Sequence, residues 1–471
     1  KLREQTFARY GNRATYLAAH EGAAGTQGVL SATQNYPDLH GVKANLYKCF
    51  LPVVWAWTSE KGAAGLLHPE GVYDDPKGGR LRQVLYPRLR RHYQVRNQYI
   101  LFPIGDRVCF SINIYGSRRR HPRFLHIANL FKPKTIDACH EHLGQGPVPG
   151  IKEDGAWAVD GHQARVIKVG RKELALFAKL YDEPGTRDVE ARLPALHSRL
   201  MLPALEQFAK ADTLGSLDCQ VRTSDMWNET RAQRNGTIER STQFPESPEQ
   251  LILSGPHFFV GNPHYKTPRA ICTEKAHYDV LDLTMLPADY LPRTNYVPGC
   301  SLAEYRKRTP KVPWSGDEAA PVTAFPRLIC NKRLDPPSER TLKPGLMFRG
   351  PGHIISLYSY TFSSIADAVA TTATWASLPA DFFVKSAGIA DFVPSFARKM
   401  PGTTKYLPQL FTRTLLLNCL TTHYADVWRA TFDPAFTTDH WAKADPRLPN
   451  THFATLTPDW TWHTPLRSDF A

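Results

Sequence analysis

The sequence predicts an α/β fold for roughly its first quarter, followed by a longer mixed α+β region. Three observations predict it. Apolar residues recur at three- and four-residue spacing from Asn45 to Thr58, a short apolar run from Ala63 to Leu67 sits between Gly62 and a turn, and two stretches alternate, 95–102 and 108–115.

Residues 1–40 are rich in Gly, Ala, Thr and Gln and weakly periodic, and read as a partly helical lead-in. Leu46, Cys49, Phe50, Val53, Val54 and Trp57 trace one buried helical face, with Pro52 expected to kink or break it. The run 63–67 suits a buried strand ending in His68-Pro69-Glu70-Gly71. After Gly78 and Gly79, Leu81, Val84, Leu85 and Leu89 predict a second amphipathic helix. The stretches 95–102 and 108–115 follow as strands, the second with Val108, Phe110, Ile112 and Ile114 on one side. Helix, strand, helix, strand, strand is the tail of an α/β sheet whose last strand is antiparallel to its neighbour.

Residues 117–215 read as a basic and helical linker, with a Gly/Pro-rich stretch at 144–155 and a long helix at 189–211. Short β-type runs dominate 216–430, and helical periodicity returns at 365–378 and 407–430. Residues 431–471, rich in Pro, Asp, Thr and Trp, read as an irregular tail.

The 471 residues carry a net charge of +14, which favours a polyanionic partner, nucleic acid first. Between Arg80 and Arg123 stand eleven arginines, no lysine and a single acid, Asp106. Arginine in place of lysine favours phosphate, because the guanidinium fork pairs bidentately with its oxygens. The eight cysteines form no Cys-x-x-Cys pair, and the histidines show no ligand spacing, so neither a metal site nor a disulfide framework is expected. No uncharged run reaches the ~18 residues of a membrane span, and a cytoplasmic location is expected.

Several blocks carry a resemblance. Gln34-Asn35-Tyr36-Pro37, Gly41 to Pro52 with Asn45-Leu46-Tyr47-Lys48, Gly65 to Asp75, and Leu101-Phe102-Pro103 before the last strand arrive in one order. Together they resemble the end of the catalytic domain of adenine-specific (N6) DNA methyltransferases of the type IIG restriction-modification and phage-defence kind. The resemblance implies the carboxy-terminal part of a Rossmann-like class I methyltransferase sheet in residues 1–116. It implies Phe102 as the aromatic that stacks on an extruded adenine, with Pro69, Gly71 and Tyr73 supporting the adenine pocket. It places a target-recognition, DNA-binding domain at 216–430. Tyr290 to Pro298, Tyr305 to Trp314, Asn331 to Arg333 and Ser338 to Leu342 resemble that domain's DNA-facing loops and strands, and Leu378 to Lys385 its helix-to-strand passage. The DNA-binding candidates are Arg118, Arg119, Arg120, Arg306, Lys307, Arg308, Lys311, Lys332, Arg333 and Arg340. Double-stranded DNA is the implied partner, with other restriction or defence subunits beside it.

The family's Gly-rich cofactor turn and its Asn-Pro-Pro-aromatic loop are missing from the sequence, and Asn262-Pro263-His264-Tyr265 lies downstream of the sheet. S-adenosylmethionine is therefore expected to be the cofactor of an intact protein, with both motifs ahead of Lys1, and this chain is expected to bind DNA without methylating it. The alternative is a stand-alone nucleic-acid-binding specificity subunit. A nuclease built on Asp74 and Asp75 ranks last, because the Tyr-Asp-Asp-Pro turn reads as a helix cap.

Overall fold

A computed structural model describes residues 2–274, 276–316, 319–335, 338–449 and 451–467. Lys1 and residues 468–471, the ends of the first and last expected domains, lie outside the described residues. The chain divides into two compact units, Lys1–Lys210 with Ser386–Gly388, and Ala211–Lys385 with Ile389–Ala471.

In the first unit, helices α1 (Leu2–Tyr10) and α2 (Arg13–Ser31) precede α3 (Leu46–Trp57). The α3 helix runs through Pro52, and its buried residues are Lys48, Cys49, Leu51 and Trp55, while Leu46, Phe50 and Trp57 are exposed. The buried face is thus rotated from the expected one. Lys48 lies inside because its ammonium pairs with Asp75 at 3.1 Å, which removes the cost of burying the charge alone.

Strand β1 (Ala63–Pro69) leads through α4 (Gly71–Asp74) and α5 (Gly79–Leu85) to β2 (Leu89–Arg96), β3 (Cys109–Gly116) and β4 (Phe124–Leu130). After α6 (Lys134–Glu141) and a small hairpin, β5 (Lys152–Glu153) and β6 (Ala156–Trp157), comes β7 (Ile167–Val169), then α7 (Arg171–Tyr181) and α8 (Leu202–Phe208). The sheet order is β1-β3-β2-β4-β7. Strand β3 enters between β1 and β2, antiparallel to both, whereas β4 is parallel to β2. The antiparallel final strand of the expected pair is present.

Its partner is displaced, however: β2 begins at Leu89, and residues 97–108 form the loop before β3. Asn97, fully buried, explains the shift, because its amide holds the loop backbone at Phe102, Ile104 and Gly105. Beyond Gly116 the sheet continues through β4 and β7 where a linker is expected, and the long helix expected at 189–211 is limited to α8. Pro194 and Pro203 account for this, since proline removes a backbone donor and disfavours helix in the residue before it.

One sheet face carries Tyr93, Val95, Phe110, Ile127 and Leu130 against Cys139 of α6. The opposite face of β3 carries Ser111, Asn113 and Tyr115, all buried more deeply than Ile112 and Ile114. The polar side of this strand is the inner one.

The second unit is built on a four-stranded antiparallel sheet in the order 344–347, 327–331, 357–362 and 221–224. Helix Ile365–Ala376 packs on it and buries Trp375 against Tyr360 and Phe392. Leu378–Ala387 is helical throughout, without the passage into strand that the resemblance implies. The expected tail is irregular but packed, with Phe436, Phe453 and Leu456 buried. No helix among the described residues is long and apolar enough to cross a membrane.

Candidate functional site

The site grows from the end of β1. Pro69 pairs across the sheet with Phe110, and the ring of Phe102 meets that of Phe110 at 5.0 Å and 89°, edge to face. Phe102 is 43% exposed, so the sheet holds one edge of its neighbourhood while much of the ring remains accessible. Asn97 fixes the loop backbone on both sides of it: Nδ2 donates to the carbonyls of Phe102 and Ile104, each at 2.9 Å, and Oδ1 accepts from the Phe102 N–H at 3.1 Å. An exposed aromatic on a clamped loop is preorganised for stacking.

Gly71 stands two residues after Pro69, and a Cβ there would lie 2.9 Å from the Tyr47 hydroxyl, so that ring end would have to shift to admit a side chain. Tyr73 is buried, its hydroxyl donating to Asn113 Oδ1 at 2.6 Å and lying 3.2 Å from the Tyr115 hydroxyl. Tyr73 therefore braces the middle and far part of β3, at Asn113 and Tyr115, and not the Phe102 end. The structure brings Phe102, Pro69 and Gly71 to one sheet end, while the Tyr73 hydroxyl reaches back along β3 to Asn113 and Tyr115.

Under that end lies a buried polar relay. Glu70 accepts from His92 Nε2 at 3.1 Å and from Gln94 Nε2 at 3.0 Å, and His92 Nδ1 lies 2.8 Å from His126 Nδ1. His92 and His126 meet because β2 and β4 pair them directly in parallel register. Burial works against ionisation of Glu70, but the His92 charge and hydrogen bonds from His92, Ser111 and Gln94 outweigh it and hold the carboxyl at about 2. Desolvation, aided by His92, lowers His126 to about 3, so it is neutral at neutral pH. His92 is thus held between Glu70 on its Nε2 side and His126 on its Nδ1 side.

The predicted cations fall in different places. Arg118, Arg119 and Arg120 are exposed in the turn after β3, at the opposite end of that eight-residue strand from Phe102. At about 3.3 Å per residue the separation is roughly 23 Å, so these arginines do not flank the Phe102 loop. In the second unit, Arg306, Lys307 and Arg308 end helix Leu302–Arg308; Arg306 pairs with Glu249 at 3.5 Å and Arg308 with Glu304 at 2.8 Å. The Lys311 ammonium donates to the Arg306 carbonyl at 2.7 Å, Lys332 stands 5.3 Å over the Tyr358 ring, and Arg333 pairs with Asp391 at 3.4 Å. Arg340 is largely enclosed: it donates to the Ala376 carbonyl at 2.6 Å and lies 3.8 Å from Asp381, so its role is to hold that helix end.

Asp75 is engaged by Lys48 and by the Lys77 N–H at 2.9 Å, the turn-capping role. Among the described residues no cluster of three or more His, Cys, Asp or Glu side chains is placed to hold a metal. Asn262, in the decoy motif, accepts from the His264 N–H at 2.9 Å and caps its own turn. The turn after β1 is closely filled, with the Tyr47 hydroxyl against Gly71 and the Glu70 oxygens bonded to His92 and Gln94.

Glu70, His92, His126 and Asn97 are absent from the sequence-based candidates. A sequence signal exists for His126 alone, a histidine within the apolar run Phe124 to Leu130; His92 stands among arginines and reads as surface.

No protein-family model matches the chain, and no curated protein does. Among solved structures it is similar to the type IIG restriction endonuclease BpuSI, at 8% identity and a TM-score of 0.26, over 85% of this chain and 48% of that one. It is also similar to the type IIL restriction-modification enzyme MmeI in complex with DNA, at 8% identity and a TM-score of 0.30, over 74% of this chain and 41% of that one. The chain spans less than half the length of either. Likenesses this shallow leave the functional reading to the geometry of the site.

Proposed function

We propose that this chain is the DNA-handling, carboxy-terminal portion of an adenine-specific (N6), S-adenosylmethionine-dependent DNA methyltransferase of a restriction-modification or phage-defence system. The observation that carries the reading is Phe102, exposed on the Asn97-clamped loop beside Pro69 at one end of a sheet with an antiparallel final strand. In this reading Phe102 stacks on an extruded base and desolvates it, Pro69 and Gly71 shape the wall beside it, and Tyr73 acts indirectly, by bracing β3 through Asn113 and Tyr115. The cofactor pocket and the clamp on the adenine amino group are supplied from elsewhere in the intact protein. Cations of the second unit, Lys307 and Lys332 among them, position duplex DNA by its phosphates.

The test uses a short duplex with 2-aminopurine opposite an abasic site, a base that is cheap to extrude. The chain is expected to bind it and change its fluorescence, and Phe102→Ala to bind with the fluorescence change lost. An unaltered fluorescence response in Phe102→Ala would reduce the ring to packing and leave the stand-alone DNA-binding specificity subunit as the better reading. Incubation with labelled S-adenosylmethionine and duplex DNA is expected to give no methyl transfer; turnover would contradict the assignment of the cofactor pocket to another part of the protein.

A further inference from the structure

The end of the sheet remote from Phe102 gathers charge that the adenine site does not use. Strand β2 starts at Leu89, opposite Tyr115 near the end of β3, while Phe124 at the start of β4 pairs with Val169 at the end of β7. Four strand termini and the turn 117–123 therefore share one edge of the molecule. Arg119, His121, Arg123 and Lys168, all exposed, line a depression there of about 750 Å³.

We propose that this depression is a second polyanion-binding surface, which grips a phosphodiester backbone through Arg119, Arg123 and Lys168. The turn that presents them is rigid: the Arg119 N–H donates to the Pro87 carbonyl at 3.0 Å and its Nη1 to the Arg123 carbonyl at 3.2 Å. Arg90 fastens the same turn by donating to the Ser117 carbonyl. The one acid in the lining, Glu173, is directed at the start of α7, where it accepts from the Gly170 N–H at 2.9 Å. Among the described residues none of Arg118, Arg119, Arg120, Arg123 or Lys168 is in an ion pair. Crowding is felt nearby: burial and then Arg118 lower Arg88, and burial and then Arg119 lower Arg90. Unneutralised cations held this close gain most from an anionic ligand.

A phosphate backbone fits better than an acidic protein. The exposed lining side chains are cations and an imidazole, whereas the apolar ones, Pro122 and Val169, are buried and offer no anchor of the kind a protein interface needs. Arginine forks suit phosphate oxygens in particular. The identity of the polyanion rests on the DNA reading above; the position of the surface does not depend on Phe102.

The experiment compares the full chain with the Arg119→Ala/Arg123→Ala/Lys168→Ala variant and with Phe102→Ala, binding a 20-base-pair duplex across a salt series. Removing three phosphate contacts is expected to lower the slope of log K against log salt by about 3 and to weaken binding at physiological salt at least about tenfold. Phe102→Ala, which removes a neutral ring, is expected to change affinity more than slope, the reverse of the triple variant. An Arg119→Lys/Arg123→Lys variant should retain most of the wild-type slope, and equal thermal melts would show that the variants are folded. Wild-type slope and affinity in the triple variant would overturn the proposal while leaving the DNA reading intact. No duplex binding by the wild-type chain would overturn the DNA reading itself, and binding of poly-glutamate lost in the triple variant would assign the surface to an acidic protein instead.

Discussion

Two buried side chains decide how this sheet end is held. Asn97, itself buried, bonds the carbonyls of Phe102 and Ile104 and the Phe102 N–H of the exposed 97–108 loop. Asn97→Ala removes several part-buried hydrogen bonds and leaves a small gap at a buried position; it is expected to cost about 1 to 3 kcal/mol, read as a lower denaturation midpoint. It should also free Phe102 and blunt its fluorescence effect on 2-aminopurine. Glu70 is the charged counterpart, buried and bonded to His92 and Gln94. Glu70→Ala would strand its buried partners and is expected to cost about 3 to 5 kcal/mol, with Glu70→Gln, which keeps a hydrogen-bonding group, costing less. A melt unchanged in Glu70→Ala would mean that the relay does not stabilise the fold. The sequence places Phe102 just ahead of the strand at 108–115 but gives no sign of Asn97, because nothing local distinguishes a clamp from an ordinary turn asparagine.

At the scale of elements, the close approach of α3 to the turn after β1 makes a test of packing. Gly71→Ala would press a methyl on the Tyr47 hydroxyl, now 2.9 Å from that position, and is expected to destabilise by about 1 to 3 kcal/mol. Adding Tyr47→Phe removes the offending oxygen and should restore part of the loss, a coupling that a double-mutant cycle measures. If the second change adds its own loss and restores nothing, the two elements are not in contact as described. The periodicity of α3 predicted its existence but chose the wrong face, because Lys48 counts as polar in a pattern and only Asp75, 27 residues away, makes its burial affordable. The strand expected at 95–102 was misplaced for a similar reason: Leu89 to Arg96 contains three arginines and a histidine, and reads as surface until β3 and β4 cover both its edges.

For the whole molecule, pH is the sharpest lever. Burial lowers His126, His264 and His353 to about 3 and His197 to about 4 from an ordinary value of 6.5. As pH falls through 6.5 the unfolded chain takes up protons that the folded chain refuses, so this stability is full above 6.5 and is lost progressively toward 3. Glu70 acts in the same direction lower down: its folded value of about 2 lies below its ordinary 4.5, and its contribution is lost as pH falls from 4.5 to 2. The melting temperature is therefore expected to change little between pH 7.5 and 8.5 and to drop clearly by pH 5. Equal melting temperatures at pH 7.5 and 5 would contradict the burial of these imidazoles.

The sequence by itself determined the α/β beginning, the helix at 45–58, the strands at 63–67 and 108–115 and the basic character of residues 80–123, because periodicity and charge are local properties. Only the tertiary structure decided that β3 inserts between β1 and β2, that His92 meets His126, and that the arginines of the 117–123 turn stand a strand's length from Phe102. Those facts depend on pairing and register between distant segments, and a one-residue difference in register moves every side chain to the other face.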